Sequence, residues 1–320
     1  MRNLISPFLL VLIFSSCEKE ETPIIAPERG DVKSDQVLLE TDYRNQIFYS
    51  LDQNQIISSN LKTDWDLAFE NGTTGWHIFL NTSKGMAVWN TEQTDFSAIT
   101  SSSNAEWNWD NNEGHIDSTA FGDYRNNNNV YVIDRGYSYT GNHTGYRKIQ
   151  ILSQNNTEYT VKYAKLDGSD EQNITFQKEI SSNFTCLSFN THQVESIQPI
   201  SSEWDLLFTQ YTHVFDDTPP TPYLVTGILT NRNLLVAEDT ILNFDDITYN
   251  DISNLNFTNE INTIGYDWKV YNYADGIFEI IEGINYIIQA NSGYYYKLRI
   301  IDFYDNSGNK GSPLFEYQRL

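Results

Sequence analysis

The chain has 320 residues, enough for two domains of ordinary size. It holds 21 Tyr, 17 Phe and 7 Trp against only 2 Met, a composition that suits pleated, half-buried strands. The formal net charge of −23 excludes charge-driven binding to nucleic acid, whose affinity comes mainly from cationic contacts to phosphate, and to an anionic membrane surface.

In chain order, Arg2 is followed by an apolar run from Leu4 to Phe14 and by Ser15-Ser16-Cys17. This is the pattern of a secretion signal over residues 1–16, too short to span a membrane permanently. Residues 17–38 contain Pro23 and Pro27 and no aromatic side chain, so they are expected to form a disordered tether reaching on the order of 25 Å. Cys186 is the only other cysteine; it lies among Phe184, Leu187 and Phe189 and reads as a small buried residue.

Residues 39–181 are expected to form a first module. Ile47–Leu51 and Gln55–Ser58 make a hairpin around Asp52-Gln53-Asn54. Trp65–Phe69 alternates, with Trp65, Leu67 and Phe69 on one face, as a half-buried strand does. Strands follow at Trp76–Leu80 and Met86–Trp89, separated by the turn Thr82–Gly85. The polar stretch 90–129 reads as a long loop, and Val130–Asp134, Arg147–Ser153 and Glu158–Lys165 as strands.

Residues 182–320 are expected to form a second module. Tyr223–Leu229 and Asn233–Ala237 predict a hairpin across Thr230-Asn231-Arg232. Phe244–Ile252 is the one stretch compatible with a short helix, and Tyr266–Tyr273, Phe278–Ile281, Tyr286–Ala290, Tyr295–Tyr304 and Leu314–Gln318 predict strands. No long stretch has a 3.6-residue period, so the fold class is all-β, with few or no helices.

The two modules share a pattern. Asp64-Trp65-Asp66-Leu67-Ala68-Phe69 returns as Glu203-Trp204-Asp205-Leu206-Leu207-Phe208. Asn45–Leu51 precedes the first as Asn183–Phe189 precedes the second, and Tyr131-Val132-Ile133 with Gly145–Ile151 is matched by Tyr286-Ile287-Ile288 with Tyr295–Ile300. Matches in the same order at similar spacing predict two tandem modules.

Ser15-Ser16-Cys17 resembles the lipobox of bacterial lipoproteins, with Phe14 where Leu is usual, which implies lipidation of Cys17. Glu18-Lys19-Glu20-Glu21 resembles a surface-export signal of such proteins. Trp65–Phe69, Leu80-Asn81 and Gly85–Val88, and the tail Tyr295–Tyr304 with Gly308, Lys310-Gly311 and Phe315-Glu316-Tyr317, resemble the HmuY-like lipoproteins. The resemblance covers both modules. It implies an all-β, non-enzymatic protein anchored on the outer face of the outer membrane, binding haem or a similar flat ligand and passing it to an outer-membrane receptor.

In haem-binding members of that family, His or Met side chains take the iron from both sides. One such histidine falls about five residues after a Trp of this pattern; at that spacing from Trp268 this chain has Tyr273, a residue type that can ligate ferric haem. Residues 238–250, where another ligand is implied, hold no His or Met. The haem-binding candidates are therefore Tyr273, His115 (placed after Trp109 much as that ligand is after its Trp), His213 before the proline loop, and Met86. For His115 a turn role and for Met86 a core role stand beside ligation. His77, His143 and His192 read as structural or turn residues.

No paired-histidine zinc motif, glycine-rich phosphate loop or Gly-x-Ser-x-Gly turn occurs. Asp110–Asp117 has a trace of a calcium loop but Phe121 stands where an EF-hand needs Glu. The alternative to haem is a structural, adhesive or glycan-binding surface protein that kept the fold and lost its axial ligands, with Trp107 and Trp109 as a stacking platform.

Overall fold

Runs of alternating aromatic and branched residues become antiparallel strands, each face of which finds a different layer. The structure, a computed structural model, describes residues 28–320; the signal segment 1–16, Cys17 and the rest of the tether up to residue 27 lie outside the described residues. Its strands are β1 (Lys33–Gln36), β2 (Asn45–Ser50), β3 (Gln55–Leu61), β4 (Leu67–Glu70), β5 (Ile78–Leu80), β6 (Ala87–Asn90), β7 (Val130–Asp134), β8 (Tyr146–Gln154), β9 (Glu158–Ala164) and β10 (Gln172–Gln177). They continue as β11 (Phe184–Ser188), β12 (Gln193–Glu195), β13 (Leu206–Phe215), β14 (Thr221–Thr230), β15 (Leu235–Asp239), β16 (Lys269–Asn272), β17 (Ile277–Ile280), β18 (Asn285–Gln289), β19 (Tyr295–Tyr304) and β20 (Lys310–Arg319).

Four sheets carry the architecture, and they come in matched pairs. Two outer sheets run β10-β9-β8-β7-β6 and β1-β20-β19-β18-β15; two inner sheets run β12-β11-β4-β5 and β3-β2-β13-β14. Each order maps onto its mate strand by strand. One core, with Leu67, Phe69, Leu187, Tyr131 and Tyr163, joins the first outer sheet to the first inner sheet. A second, with Ile47, Tyr49, Phe208, Tyr286 and Tyr317, joins the other two. Between the inner sheets lies a third cluster of Phe48, Ala68, Phe79, Cys186, Ile197 and Trp204. Strand β2 shows the logic: Ile47 and Tyr49 point to one core and Phe48 to the other, as the two-residue period demands.

This stacking corrects several expectations. The face of Ala68 is not a solvent face, because a second sheet covers it; Trp65, just ahead of β4, packs on that side rather than with Leu67 and Phe69. Strand ladders cross the expected division at residues 181 and 182: β2 pairs with β13, and β11 pairs with β4. The end of the expected tether is ordered, since β1 pairs with β20 and Val37 is buried. Asn233–Ala237 does not fold back on Tyr223–Leu229; β14 pairs with β13, and β15 crosses to β18. The short helix is a 3-10 turn at Tyr249–Asn254. Strands β10 and β12 are edge strands that the sequence does not predict, because β10 has only Ile174 and Phe176 apolar among polar residues and β12 only Val194.

The repeated Trp-Asp pair is the clamp of each inner sheet. Asp66 N–H donates to Leu187 O at 2.9 Å and Asp205 N–H to Tyr49 O at 2.8 Å. The carboxylates accept from Phe189 N–H at 2.7 Å and Leu51 N–H at 2.8 Å respectively. Asn81 Nδ2 donates to Trp65 O, and Asn231 Nδ2 to Trp204 O.

The copies differ in charge. Asp66 also holds Lys84 Nζ at 2.5 Å and Arg135 Nε and Nη2 at 3.1 Å, all buried. Burial would raise the Asp66 carboxyl, but Lys84 and Arg135 outweigh it and hold the group below the usual range. At the equivalent places the second copy has Leu234 and Ala290, and Asp205 has no cation beside it among the described residues. Burial, with Asp52 adding to it, pushes Asp205 up to about 6.

A buried lysine on each outer sheet pins a loop. Lys148 Nζ donates to Ile99 O at 2.9 Å and sits over Phe96; Lys297 Nζ donates to Phe244 O and to Ile247 O, over Phe244. The loops share the spacing Phe-x-x-Ile at 96–99 and 244–247. Lys297→Met is expected to cost about 1–3 kcal/mol, since it strands two carbonyls. It should also raise hydrogen exchange locally across 243–248; unchanged exchange there would refute the pinning role.

Candidate functional site

The most chemically open group is on the distal half of the β13–β14 hairpin. His213 pairs across the ladder with Tyr223, and its ring lies 4.8 Å from Phe215 and 5.2 Å from Tyr266. Phe215 in turn lies 6.5 Å from Tyr223, which is 63% exposed. Strand alternation sets Tyr211, His213 and Phe215 on one face. Neither ring nitrogen of His213 has a hydrogen-bond partner among the described residues, and Nδ1 is buried. Burial lowers the His213 pKa against the opposing pull of Asp267, which favours the neutral imidazole, the form that binds metal.

The other candidates are dispersed. Tyr273 sits in the turn between β16 and β17, 90% exposed, with its ring edge-on to Tyr271 at 5.1 Å. His115 precedes the 3-10 turn Ile116–Ser118, with Nδ1 3.6 Å from Glu113. Met86 is 1% exposed inside the first core, so its thioether is packing and not a reachable donor; that expectation is corrected. His77 bonds Glu70 at 2.6 Å and stacks on Trp76, His143 bonds Asp134 at 2.8 Å, and His192 Nδ1 faces the Tyr163 hydroxyl at 3.0 Å, so all three have structural partners.

Trp107 and Trp109 are half-buried rather than free. Trp107 stacks on Tyr146 with centroids 6.0 Å apart. Together with Asn108 and Asn112 they line a polar basin of about 310 Å³ beside Val214 and Pro220. Asn112 ties this loop to β13 through bonds of 2.9 and 2.8 Å with Val214. Asp110 is a loop clamp: its oxygens accept from Leu80 N–H at 2.7 Å and Ala120 N–H at 2.8 Å, while burial raises it to about 6.

Sequence reasoning missed the aromatic partners of His213, because Phe215, Tyr223 and Tyr266 come from three separate segments. It also missed the space between the inner sheets, described below. One signal was available: Trp65 Nε1–H donates to Gln46 Oε1 at 2.8 Å, and the repeat places Phe184 where that glutamine would be for Trp204.

Fold and repeated clamps define the class first: an all-antiparallel β protein in which one strand plan occurs twice. The chain belongs to the HmuY family, whose model, described as "HmuY protein", matches residues 42–317. No curated protein matches the chain. Among solved structures it is similar to apo PinO from Porphyromonas gingivitis, at 9% identity over 91% of this chain and 97% of that one, TM-score 0.30. It is similar to the apo HmuY analogue TFO of Tannerella forsythia, at 10% identity over 92% and 98%, TM-score 0.28. A putative HmuY-like heme-binding protein of Bacteroides vulgatus is 13% identical over 90% and 94%, TM-score 0.20.

Proposed function

We propose that this chain is a surface lipoprotein, attached through Cys17 to the outer membrane, that binds haem or a similar flat ring and hands it to an outer-membrane receptor without catalysing a reaction. Membership of the HmuY family supports the class of function. The observation that carries the site is His213: a half-buried imidazole without a partner, beside Phe215, Tyr223 and Tyr266. Bound haem would bring an iron that needs an axial donor and a porphyrin that needs apolar cover. His213 would supply the first, and the exposed aromatic side chains part of the second. Tyr273 and His115 are the remaining axial candidates.

The test is a ferric and ferrous haem titration of residues 18–320 followed by absorbance. A saturable, shifted Soret band is expected, and His213→Ala is expected to weaken binding by at least tenfold, about 1.4 kcal/mol. A band lost instead in Tyr273→Phe or His115→Ala moves the site; a spectrum that stays that of free haem removes it. The basin beside Trp107 and Trp109 supports a second reading, glycan binding. A glycan array that shows binding lost in Trp109→Ala would favour it.

A further inference from the structure

The two inner sheets do not close on each other completely. Between them is a cavity of about 130 Å³, walled by Phe48, Ala68, Phe79, Cys186, Leu207 and Leu229. Apolar walls of this extent between packed sheets are unusual, since interiors hold few voids larger than a water molecule. The volume is close to that of an engineered apolar cavity of about 150 Å³ that binds benzene.

Two residues that carry hydrogen-bond donors, Arg232 and Trp204, line this space. Arg232 lies in the turn between β14 and β15, with its guanidinium carbon 4.4 Å from the Phe79 ring centre and 5.1 Å from that of Phe184. Of its five N–H groups, only one on Nη1 finds an acceptor among the described residues, the carbonyl of Gly114. Gly114 is required for that approach: a Cβ there would sit 2.5 Å from Ile261 Cδ1 and 3.3 Å from Arg232 Nη2. The second donor is Trp204, 4% exposed, whose Nε1–H has no acceptor. Its repeat mate Trp65 is satisfied by Gln46, but Phe184 occupies the matching place and offers none.

A buried donor left without an acceptor is costly; the Trp204 indole is left so, and the half-buried Arg232, with a single bonded N–H, lines the same space. The nearest carboxylate, Asp110, makes no ion pair with Arg232 and already accepts two backbone N–H groups. A ligand with an acceptor group and a small apolar body would complement these donors and walls.

We infer that the space between the inner sheets is a binding site for a small organic monocarboxylate of about four to seven carbons, its carboxylate taken by Arg232 and Trp204 and its apolar part by the phenylalanine and leucine walls. This site is separate from the His213 ledge. A guanidinium prefers a planar carboxylate, to which it can donate two parallel bonds. Phe79 and Phe184, adjacent rings beneath the guanidinium of Arg232, hold the fork in place.

The test uses the full chain and titration calorimetry with sodium benzoate, sodium butyrate and neutral benzamide. Saturable binding of benzoate or butyrate at one site is expected, with benzamide at least tenfold weaker. Arg232→Gln should weaken the carboxylate at least tenfold. Trp204→Phe keeps an aromatic ring but removes the indole N–H together with the fused five-membered ring, and should weaken it several-fold, with the melting temperature recorded to show that the variant is folded. The inference is overturned if neither carboxylate binds saturably to the unaltered chain, if benzamide binds as well as benzoate, or if folded Trp204→Phe and Arg232→Gln both bind like the parent.

Discussion

Asp66→Asn is expected to lower stability by about 3–5 kcal/mol, the cost of removing one partner from a buried ion cluster. The substitution changes no shape and keeps an acceptor for Phe189 N–H. It leaves Lys84 and Arg135, both buried, facing a neutral amide. Urea unfolding at pH 7 measures the loss; against a typical total of about 5–15 kcal/mol it would be a large share. A change under about 1 kcal/mol would show that the cluster is solvated or relaxes freely. Because the Asp66 pKa is held below its ordinary value, this stabilisation is present above the ordinary carboxylate range and is lost as pH falls through the lower folded value.

Asp205→Asn should do the reverse. The folded pKa of about 6 lies above the unfolded value, so the favourable contribution of Asp205 is fully present below about 4 and is lost as pH rises through 6. The charged form then costs on the order of 3 kcal/mol at pH 8. Asp205→Asn is therefore expected to match the parent near pH 4 and to exceed it in stability at pH 8, with Leu51 N–H still accepted by the amide oxygen. Asp110, also raised to about 6, remains in both proteins and cancels from the comparison. A difference between the two proteins that does not grow with pH would refute the account. Two copies of one Trp-Asp clamp thus carry opposite pH signatures, because Lys84 and Arg135 are Leu234 and Ala290 in the second copy.

The strands that were legible in the sequence are those with one polar and one apolar side or a sharp turn at each end. Val130–Asp134, a run of branched and aromatic residues between turns, and Tyr295–Tyr304 have the bounds expected of them. Where strands bury both faces, alternation carries less information: Trp65 lies on the side opposite Leu67 and Phe69, and the face of Ala68 is covered by a second sheet. Pairing partners were less legible still: Tyr223–Leu229 has a good turn after it, yet its ladder partner lies before it. The repeat was visible, but local patterns do not say which copy of a hairpin completes which sheet. At the site, residue type pointed to His213, while the lack of partners that makes it open depends on Tyr266 and Tyr223 arriving from elsewhere. Arg232 read as a turn residue because nothing local reveals a cavity above a turn.

The exchange of hairpins between the inner sheets has a consequence in time. Leu51 must find Asp205, 154 residues later, and Asp66 must find Phe189, 123 residues later. At a synthesis rate of about 5–20 residues per second, the β2–β3 hairpin waits on the order of 10 s for the strand that completes its sheet. For that interval the inner edge of β2 is an unpaired row of backbone donors and acceptors, the kind of edge that templates association between chains. The nascent protein is therefore most vulnerable before β13 has emerged.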